Sequence, residues 1–411
     1  MKVLHTADWH LGKLLEGRSR LVEQREVLGY LTHKMQEKKP DMVVIAGDVF
    51  DNSNPSAQAE ELFYEMLKAF GRDGECLVVV VGGNHDQPLR LEAVRPLAKE
   101  HGILIYGTPK SEISSGRYGK YEITSLGEGA FSFSCEEEKV IVVCAAYPSE
   151  KRLNEVLYTN NEEDERIADY MKRMEQLFLK CDQHFEEGAV NLMVSHVYTF
   201  GSTPDGSERS VQLGGSYILP ANIFPEHADY IALGHVHKPQ KVPGTDGRIC
   251  YSGSILPYHK GEHTAAKSCR MVTMHPGEAP VPEEIYLPNP KPIELWKCES
   301  YEEALEKCRE NANRSCWVYM QIRTDGVILE DQLKALKQEK EDILEIIPVW
   351  KTSEKEYKYT DWKQKSVQEL FEVYYKEVRG SEAVPEEITK LLNVLLEEEE
   401  DETITVGDDG N

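Results

Sequence analysis

Five short clusters of metal-ligating and acid–base residues stand in order along the first 237 residues. They are Asp8-x-His10, Gly47-Asp48-x-x-Asp51, Gly83-Asn84-His85-Asp86, a lone His196 in the run VSHV, and Gly234-His235-x-His237. Imidazole and carboxylate in one set suit manganese, iron or zinc, whereas an all-oxygen set would suit magnesium or calcium. Two ions about 3.5–4 Å apart need a ligand that serves both, and a carboxylate such as Asp48 can do so. Such a pair activates water near neutral pH and binds phosphate oxygens, the chemistry of phosphoester hydrolysis. Singly each cluster is weak evidence. A GHxH tetrapeptide arises by chance, and a lone histidine after a strand is commonly a satisfied loop residue. Their meaning depends on what brings them together.

Each cluster follows an apolar run of four to six residues: KVLHT, MVVIA, LVVVV, NLMVS and YIAL. Runs of this length that end in glycine and polar residues are the pattern of strands buried on both faces. Helices are expected between them, over 22–37 and 57–70. The clusters then fall at the C-terminal ends of the strands, the edge at which ligand sites form in open α/β sheets. A long charged helix is expected over 150–185, with no assigned role.

The texture changes at 276–292, where HPGEAPVPEEIYLPNPKP reads as a proline-rich linker. Strand, helix, strand, helix and strand follow over 293–350, as a small α+β domain. After a charged connector, Ser366 opens a helix with Val367, Leu370, Phe371, Tyr374 and Val378 at helical spacing. Gly380 is its expected C-cap, and a second helix starts at Pro385. A short amphipathic helix cannot bury that stripe alone. It needs either a partner groove or its own domain.

The formal charge is −25, and the tail is acidic, with one lysine between Glu382 and Asn411. Taken alone, this balance argues against nucleic acid, so any such contact needs local help from bound metals or from a partner. Lys13, Arg18 and Arg20 cluster after the first motif and are the expected DNA-backbone contacts. No run of 18 apolar residues predicts a membrane span. Nine scattered cysteines without a CxxC pair suit a reducing cytoplasm. No GxxxxGK[ST] loop is present, so any ATP dependence must come from another chain.

The ordered set resembles the calcineurin-like metallophosphoesterase superfamily. The resemblance implies an α/β fold in which a β-sandwich is flanked by helices, covering 1–275. It implies that Asp8, His10, Asp48 and His237 hold one divalent ion and that Asp48, Asn84, His196 and His235 hold a second. His85 would face the substrate phosphate and assist the leaving oxygen, and Asp51 and Asp86 would orient ligand histidines. For Asp51 a plain loop carboxylate is the alternative. Three further stretches resemble the SbcD nuclease family: HTADWHLGKLLEGRSRLVEQREVL at the start, Ser207-Glu208-Arg209…Gly214-Gly215, and YSGSILP over Tyr251–Pro257. That family implies a manganese-dependent 3′→5′ exonuclease on duplex DNA and endonuclease on single strands and hairpins, serving DNA repair and recombination. It further implies a homodimer within a heterotetramer with an SMC-like ATPase, SbcC. The unit at 293–350 would cap the DNA, the helices over 366–400 would dock the ATPase through Leu370, Phe371 and Tyr374, and residues 401–411 would be a disordered acidic tail. The alternatives are a phosphatase or cyclic-nucleotide phosphodiesterase of the same superfamily, and a scaffold that has lost catalysis.

Overall fold

In the computed structural model, the described residues are 1–149, 152, 163–199, 201–203 and 218–350, with scattered positions between 366 and 392. Two sheets lie face to face. One has six strands in the order Val281–Tyr286, Ser268–Thr273, Lys2–Thr6, Met42–Ala46, Leu77–Val81 and Ile103–Tyr106. The other has eight, and its centre runs Ile249–Tyr251, Tyr230–Gly234, Val190–His196 and Glu138–Ala145. Strands Lys2–Thr6, Met42–Ala46, Leu77–Val81 and Ile103–Tyr106 pair in parallel, and all residues of Met42–Ala46 and Leu77–Val81 are buried. Their uninterrupted apolar runs reflect burial on two sides.

Inner-face residues such as Val44, Val79, Phe131, Val142, Leu192 and Ala232 form the core between the sheets. Outer-face residues of the six-stranded sheet pack under helices Leu21–Lys38 and Ala57–Gly71. Helix Glu163–Asp182 covers the outer face of the eight-stranded sheet with Tyr170, Met174 and Phe178. The alternation of side chains along each strand thus makes three apolar layers.

His5 couples the two sheets. Its Nδ1 lies 3.0 Å from the Tyr230 hydroxyl and its Nε2 3.1 Å from the Leu233 carbonyl, with the ring fully buried. Burial, then the Arg270 charge, pushes its pKa down to about 3. The native state therefore keeps His5 neutral, while the unfolded chain protonates it below about pH 6.5. A depressed pKa gives stability that is present above the unfolded value and lost as pH falls, here by about 2 kcal/mol between pH 7 and pH 5. Urea unfolding of a His5→Gln chain should show a pH dependence weaker by that amount; an unchanged dependence would remove His5 as the cause.

The segment expected to be a linker over 276–292 instead carries the edge strand Val281–Tyr286, paired antiparallel with Ser268–Thr273. Pro282 is tolerated because an edge strand has no second neighbour to receive its missing N–H. The first sheet therefore extends beyond residue 275, and Pro282 masked it in the sequence.

Strands Ile293–Cys298, Trp317–Thr324 and Ile343–Trp350 form a third, parallel sheet, joined through helices Tyr301–Glu310 and Glu330–Glu339. One face buries Trp296, Val318, Met320 and Leu336 in its own core. The other packs Ile293, Trp317 and Tyr319 on Leu15 of the hairpin Leu14–Ser19. Trp317 Nε1 donates to Glu23 Oε1 at 3.0 Å and the Tyr319 hydroxyl to Glu16 Oε1 at 3.0 Å. Met1–Trp350 form one compact unit by this packing and Lys351–Asn411 a second. In the second, Glu369 N–H donates to Ser366 Oγ at 3.3 Å and Ser366 N–H to Glu369 Oε2 at 2.8 Å, a reciprocal cap at the expected helix start. Leu370 and Phe371 are half-buried, while Tyr374 and residues 401–411 lie outside the described residues.

Candidate active site

The five clusters meet where the strand ends of the two sheets face each other. Strand Lys2–Thr6 ends before Asp8, and the loop that follows runs against the one after Met42–Ala46. Asp8 N–H donates to Gly47 O at 3.0 Å, His10 N–H to Asp48 O at 2.9 Å and Leu11 N–H to Val49 O at 2.9 Å. Trp9 turns the other way, into the helix layer. It is fully buried edge-on to Phe63 and Phe70, and its Nε1 donates to Thr6 Oγ1 at 2.9 Å. Asp-Trp-His thus aims two polar side chains at the site and anchors the third in the core.

Asp8, His10, Asp48 and His235 all have left-handed backbones, with φ of 51°, 44°, 48° and 97°. Each non-glycine residue in such a region costs on the order of 1–3 kcal/mol, which the zipped loops must offset. Strain of this kind concentrates where side chains must be re-aimed at a ligand.

Asp8, His10 and His237 present ligand atoms within 4.8 Å of one another, and so do Asp48, His196 and His235. His10 Nε2 is 3.1 Å from His237 Nε2, and His196 Nε2 is 2.9 Å from Asn84 Oδ1 and 3.3 Å from His235 Nδ1. Asn84 Oδ1 is also 3.1 Å from His235 Nδ1. Asp48 Oδ2 lies between the groups, 3.6 Å from His10 Nε2 and 3.3 Å from His196 Nε2. His196 Nδ1 faces the Ala46 carbonyl at 2.9 Å. A carbonyl only accepts, so Nδ1 carries the hydrogen and a neutral His196 turns a bare Nε2 into the cluster. Ring nitrogens and carboxylate and amide oxygens therefore converge in one buried space. A divalent cation suits such an arrangement, and nitrogen with oxygen donors fits manganese, iron or zinc.

The titration directions tell the same story. Burial raises the Asp8 carboxyl to about 6 against the opposing pull of His196 and His237. Asp48 is held well below the ordinary carboxylate range, because His196 and His85 outweigh its burial. His196 also overcomes its burial: the Asp48 carboxylate lifts it to about 9. Burial and the His196 charge drop His235 to about 3. A proton on His196 thus stands where a metal cation would neutralise Asp48, and loading the site must displace it.

Gly83 shows how tightly the site is built. A methyl group there would lie 2.2 Å from both Asp48 N and Asp48 Oδ1. Gly83→Ala should therefore push Asp48 aside and cut manganese affinity by about tenfold or more, as read by titration calorimetry. Gly29→Ala, where the added carbon meets nothing within 4 Å, should bind normally. Equal affinities for the two variants would refute the packing argument.

His85 N–H donates to Asp48 Oδ1 at 2.9 Å, and Nδ1 faces the Asp51 carbonyl at 2.6 Å. The ring is thereby pinned with Nε2 left over, 3.9 Å from Asp48 Oδ2. His85 and Asn84 line a cleft of about 710 Å³. Asp51 lies 3.7 Å from His10 Nδ1 and takes Lys13 Nζ at 2.8 Å. Asp86 differs from its expected role. It orients no histidine; its carboxylate accepts Val49, Phe50 and Gly83 N–H at 3.1, 3.0 and 2.9 Å and ties two loops together. Arg20 is a second correction. Its guanidinium is fully buried against Glu23 and the Pro257 carbonyl, so it is not presented to DNA. Arg18 is exposed on the hairpin. The segment Ser207–Gly215 lies outside the described residues.

Several supporting residues went unread in the sequence. Gln24 Nε2 donates to the His10 and Trp9 carbonyls at 2.8 and 3.1 Å and its Oε1 accepts Gly12 N–H at 3.1 Å, clamping the first loop. Tyr258 donates to the same Trp9 carbonyl. Glu262 Oε1 lies 3.6 Å from His237 Nδ1, and Lys267 pairs with Glu262 and donates to the His237 carbonyl at 2.9 Å. Although burial works to raise it, His237 and Lys267 hold the Glu262 carboxyl down. Arg152 donates through Nη2 to the Asp86 carbonyl at 2.5 Å and lines the cleft beside His85. None of these has a motif of its own; the YSGSILP stretch ends at Pro257, one residue before Tyr258.

A family model described as calcineurin-like phosphoesterase matches residues 1–239. A second, described as a type 5 capsule protein repressor C-terminal domain of SbcD type, matches 289–379. The chain is 37% identical over 404 residues to the SbcD component of the SbcCD nuclease of Bacillus subtilis, covering 98% of this chain and all of that one. The chain belongs to the SbcD-type calcineurin-like phosphoesterases. Members of this family are hydrolases, and the facing triads are this enzyme's candidate centre. A solved dimetal phosphatase from Danio rerio is 13% identical, with a TM-score of 0.38, over 69% of this chain and 95% of its own. Among the described residues, no helix of this phosphoesterase is long and apolar enough to cross a membrane.

Proposed function

We propose that this chain is the metal-dependent nuclease component of a DNA-processing complex, cutting phosphodiesters in the cleft beside His85. The observation that carries the reading is the buried convergence of acceptor atoms at Asp8, His10, Asp48, Asn84, His196, His235 and His237 in an SbcD-type chain. Asp8, His10, Asp48 and His237 would hold one ion, and Asp48, Asn84, His196 and His235 the other. When bound, the ions supply Lewis acidity toward phosphate oxygens and an activated water. The chain supplies the rest. Asp48 faces both halves, Asp86 and Gln24 fix the loops, and His85, with Nδ1 tied to Asp51, keeps Nε2 toward the cleft to hydrogen-bond or protonate the leaving oxygen.

Manganese is the ion we assign: the mixed nitrogen and oxygen donors admit manganese, iron or zinc, and the resemblance to the SbcD family selects manganese among them. DNA is the substrate, as 3′→5′ exonuclease on duplexes and endonuclease on single strands and hairpins. Arg18 reaches its backbone from the hairpin, and Lys13 can do so by leaving Asp51. The unit over 293–350, packed on that same hairpin, caps the DNA. The partner is an SbcC-like SMC ATPase docked on Leu370, Phe371 and Tyr374, with two copies of this chain in a heterotetramer. Nine thiol-bearing cysteines, all buried, support a cytoplasmic setting.

A hairpin-ended duplex incubated with manganese, with and without the ATPase, tests the reading. Cutting that the ATPase and ATP stimulate is expected. Hydrolysis of a small phosphodiester with no cutting of DNA would favour the phosphatase alternative. Deleting residues 366–411 should abolish pull-down of the ATPase while leaving manganese binding unchanged; retained pull-down would remove the docking helix from the account.

A further inference from the structure

Two clefts meet at Lys110. One is the cleft of about 710 Å³ that Asn84, His85 and Arg152 line. The other, of about 380 Å³, runs beneath helix Glu163–Asp182 and is lined by Lys110, Lys172, Arg173 and Lys180, with Glu128 and Asp169. Lys110 lines both. The helix has no choice about which side it shows. Tyr170, Met174 and Phe178 are buried against the eight-stranded sheet, so 169, 172, 173, 176 and 180, spaced by three and four, share another face. Lys172 and Lys180 are exposed there.

The charge of that groove runs against the rest of the chain. Overall, acidic residues outnumber Lys and Arg by 72 to 47, yet four cations face two carboxylates in the groove. Arg152 lines the adjoining cleft with Asn84 and His85. One nitrogen of its guanidinium is committed to the Asp86 carbonyl, while Nη1 is shielded from solvent and has no hydrogen-bond partner among the described residues. A guanidinium lining the cleft beside His85, followed by a file of lysines, is the footprint of a polyanion. Lys172 to Lys180 covers about 12 Å of helix at 1.5 Å per residue, the length of about three to four stacked nucleotides.

We propose that Arg152, Lys110, Lys172 and Lys180 form a phosphate track along which one DNA strand leaves the active cleft over helix Glu163–Asp182. The track gives a role to a helix that the catalytic centre does not use. It supplies local cations to a chain whose net charge would otherwise repel its substrate. The inference rests on the DNA reading above, and the two can fail separately.

The test is fluorescence anisotropy of the full chain with manganese and a labelled single-stranded oligonucleotide carrying phosphorothioate linkages, from about 50 to 200 mM salt. For Lys110→Gln/Lys172→Gln/Lys180→Gln, the slope of log Kd against log salt should flatten by about 2, near 0.7 for each lost single-strand contact. Affinity at low salt should fall by about tenfold or more. Arg152→Gln alone should flatten the slope by about 0.7. Lys34→Gln/Lys38→Gln, on a helix of the other face, should match the parent. If the parent shows the salt dependence and the triple variant keeps both its slope and its affinity, the track is wrong. If the parent shows no DNA binding, the DNA reading falls and takes the track with it. Should the triple variant fail to fold, Lys172→Gln and Lys180→Gln, each at an exposed position, decide the matter singly.

Discussion

Asp48→Asn should lower phosphodiester cleavage by about 1,000-fold or more and abolish tight binding of at least one manganese ion. Asp48 faces both groups of ligand atoms through one oxygen: its Oδ2 lies 3.3 Å from His196 Nε2 and 3.6 Å from His10 Nε2. It also keeps His196 raised to about 9 against burial. An amide of the same shape can still accept His85 N–H, now 2.9 Å from Oδ1, so the loop need not collapse. What disappears is the negative charge. Removing the anion shared by two ions forfeits several kcal/mol of transition-state stabilisation, and about 4 kcal/mol corresponds to about 1,000-fold. Asp51→Asn is the matched control. Asp51 is 3.7 Å from His10 Nδ1 and already engaged by Lys13, so its loss should cost less than about tenfold. An Asp48→Asn chain with more than about a tenth of parental activity would contradict this assignment.

The second large effect separates catalysis from metal binding. His85→Ala should lower kcat by about 100- to 10,000-fold, the usual range for a positioned acid or base, with manganese affinity unchanged. The geometry argues for that split. Nδ1 is spent on the Asp51 carbonyl at 2.6 Å, and Nε2 stands 3.9 Å from Asp48 Oδ2, at the cleft wall. The ring is close enough to serve substrate; the sets Asp8, His10, His237 and Asp48, His196, His235 assemble without it, while His10, Asp51 and His85 form a third set within ligand range, which is why metal affinity is the deciding readout. Calorimetry and single-turnover cleavage on one preparation decide the point. Normal cleavage would remove His85 from the chemistry; lost manganese binding would make it a ligand.

Much of this was legible because the signal is local. An apolar run followed by Gly-Asp, Gly-Asn-His or Gly-His-x-His carries its strand and its ligands within about ten residues, and the parallel pairing of those strands within each mixed sheet places their ends together. The edge strand Val281–Tyr286 was not legible, because Pro282 and its proline-rich flanks resemble a linker unless the neighbouring strand is known. Arg20 misled for a related reason. In sequence it is one of several cations after the first motif; in the fold, Glu23 and the distant Pro257 carbonyl enclose it. Asp86 sits beside His85 in the chain yet serves backbone N–H groups of the preceding loop. Gln24, Glu262, Lys267 and Arg152 act only through partners that the fold brings near, such as the His10, His237 and Asp86 carbonyls. Their role is a property of tertiary contact, and no spacing records it.

The central claim is that two metal ions sit across Asp48. Anomalous diffraction from crystals of the full chain grown with manganese measures this directly. The account predicts two peaks about 3.5–4 Å apart, one against Asp8, His10 and His237 and one against Asn84, His196 and His235, with the Asp48 carboxylate touching both. A single peak, or two peaks that leave Asp48 without a metal contact, would contradict it.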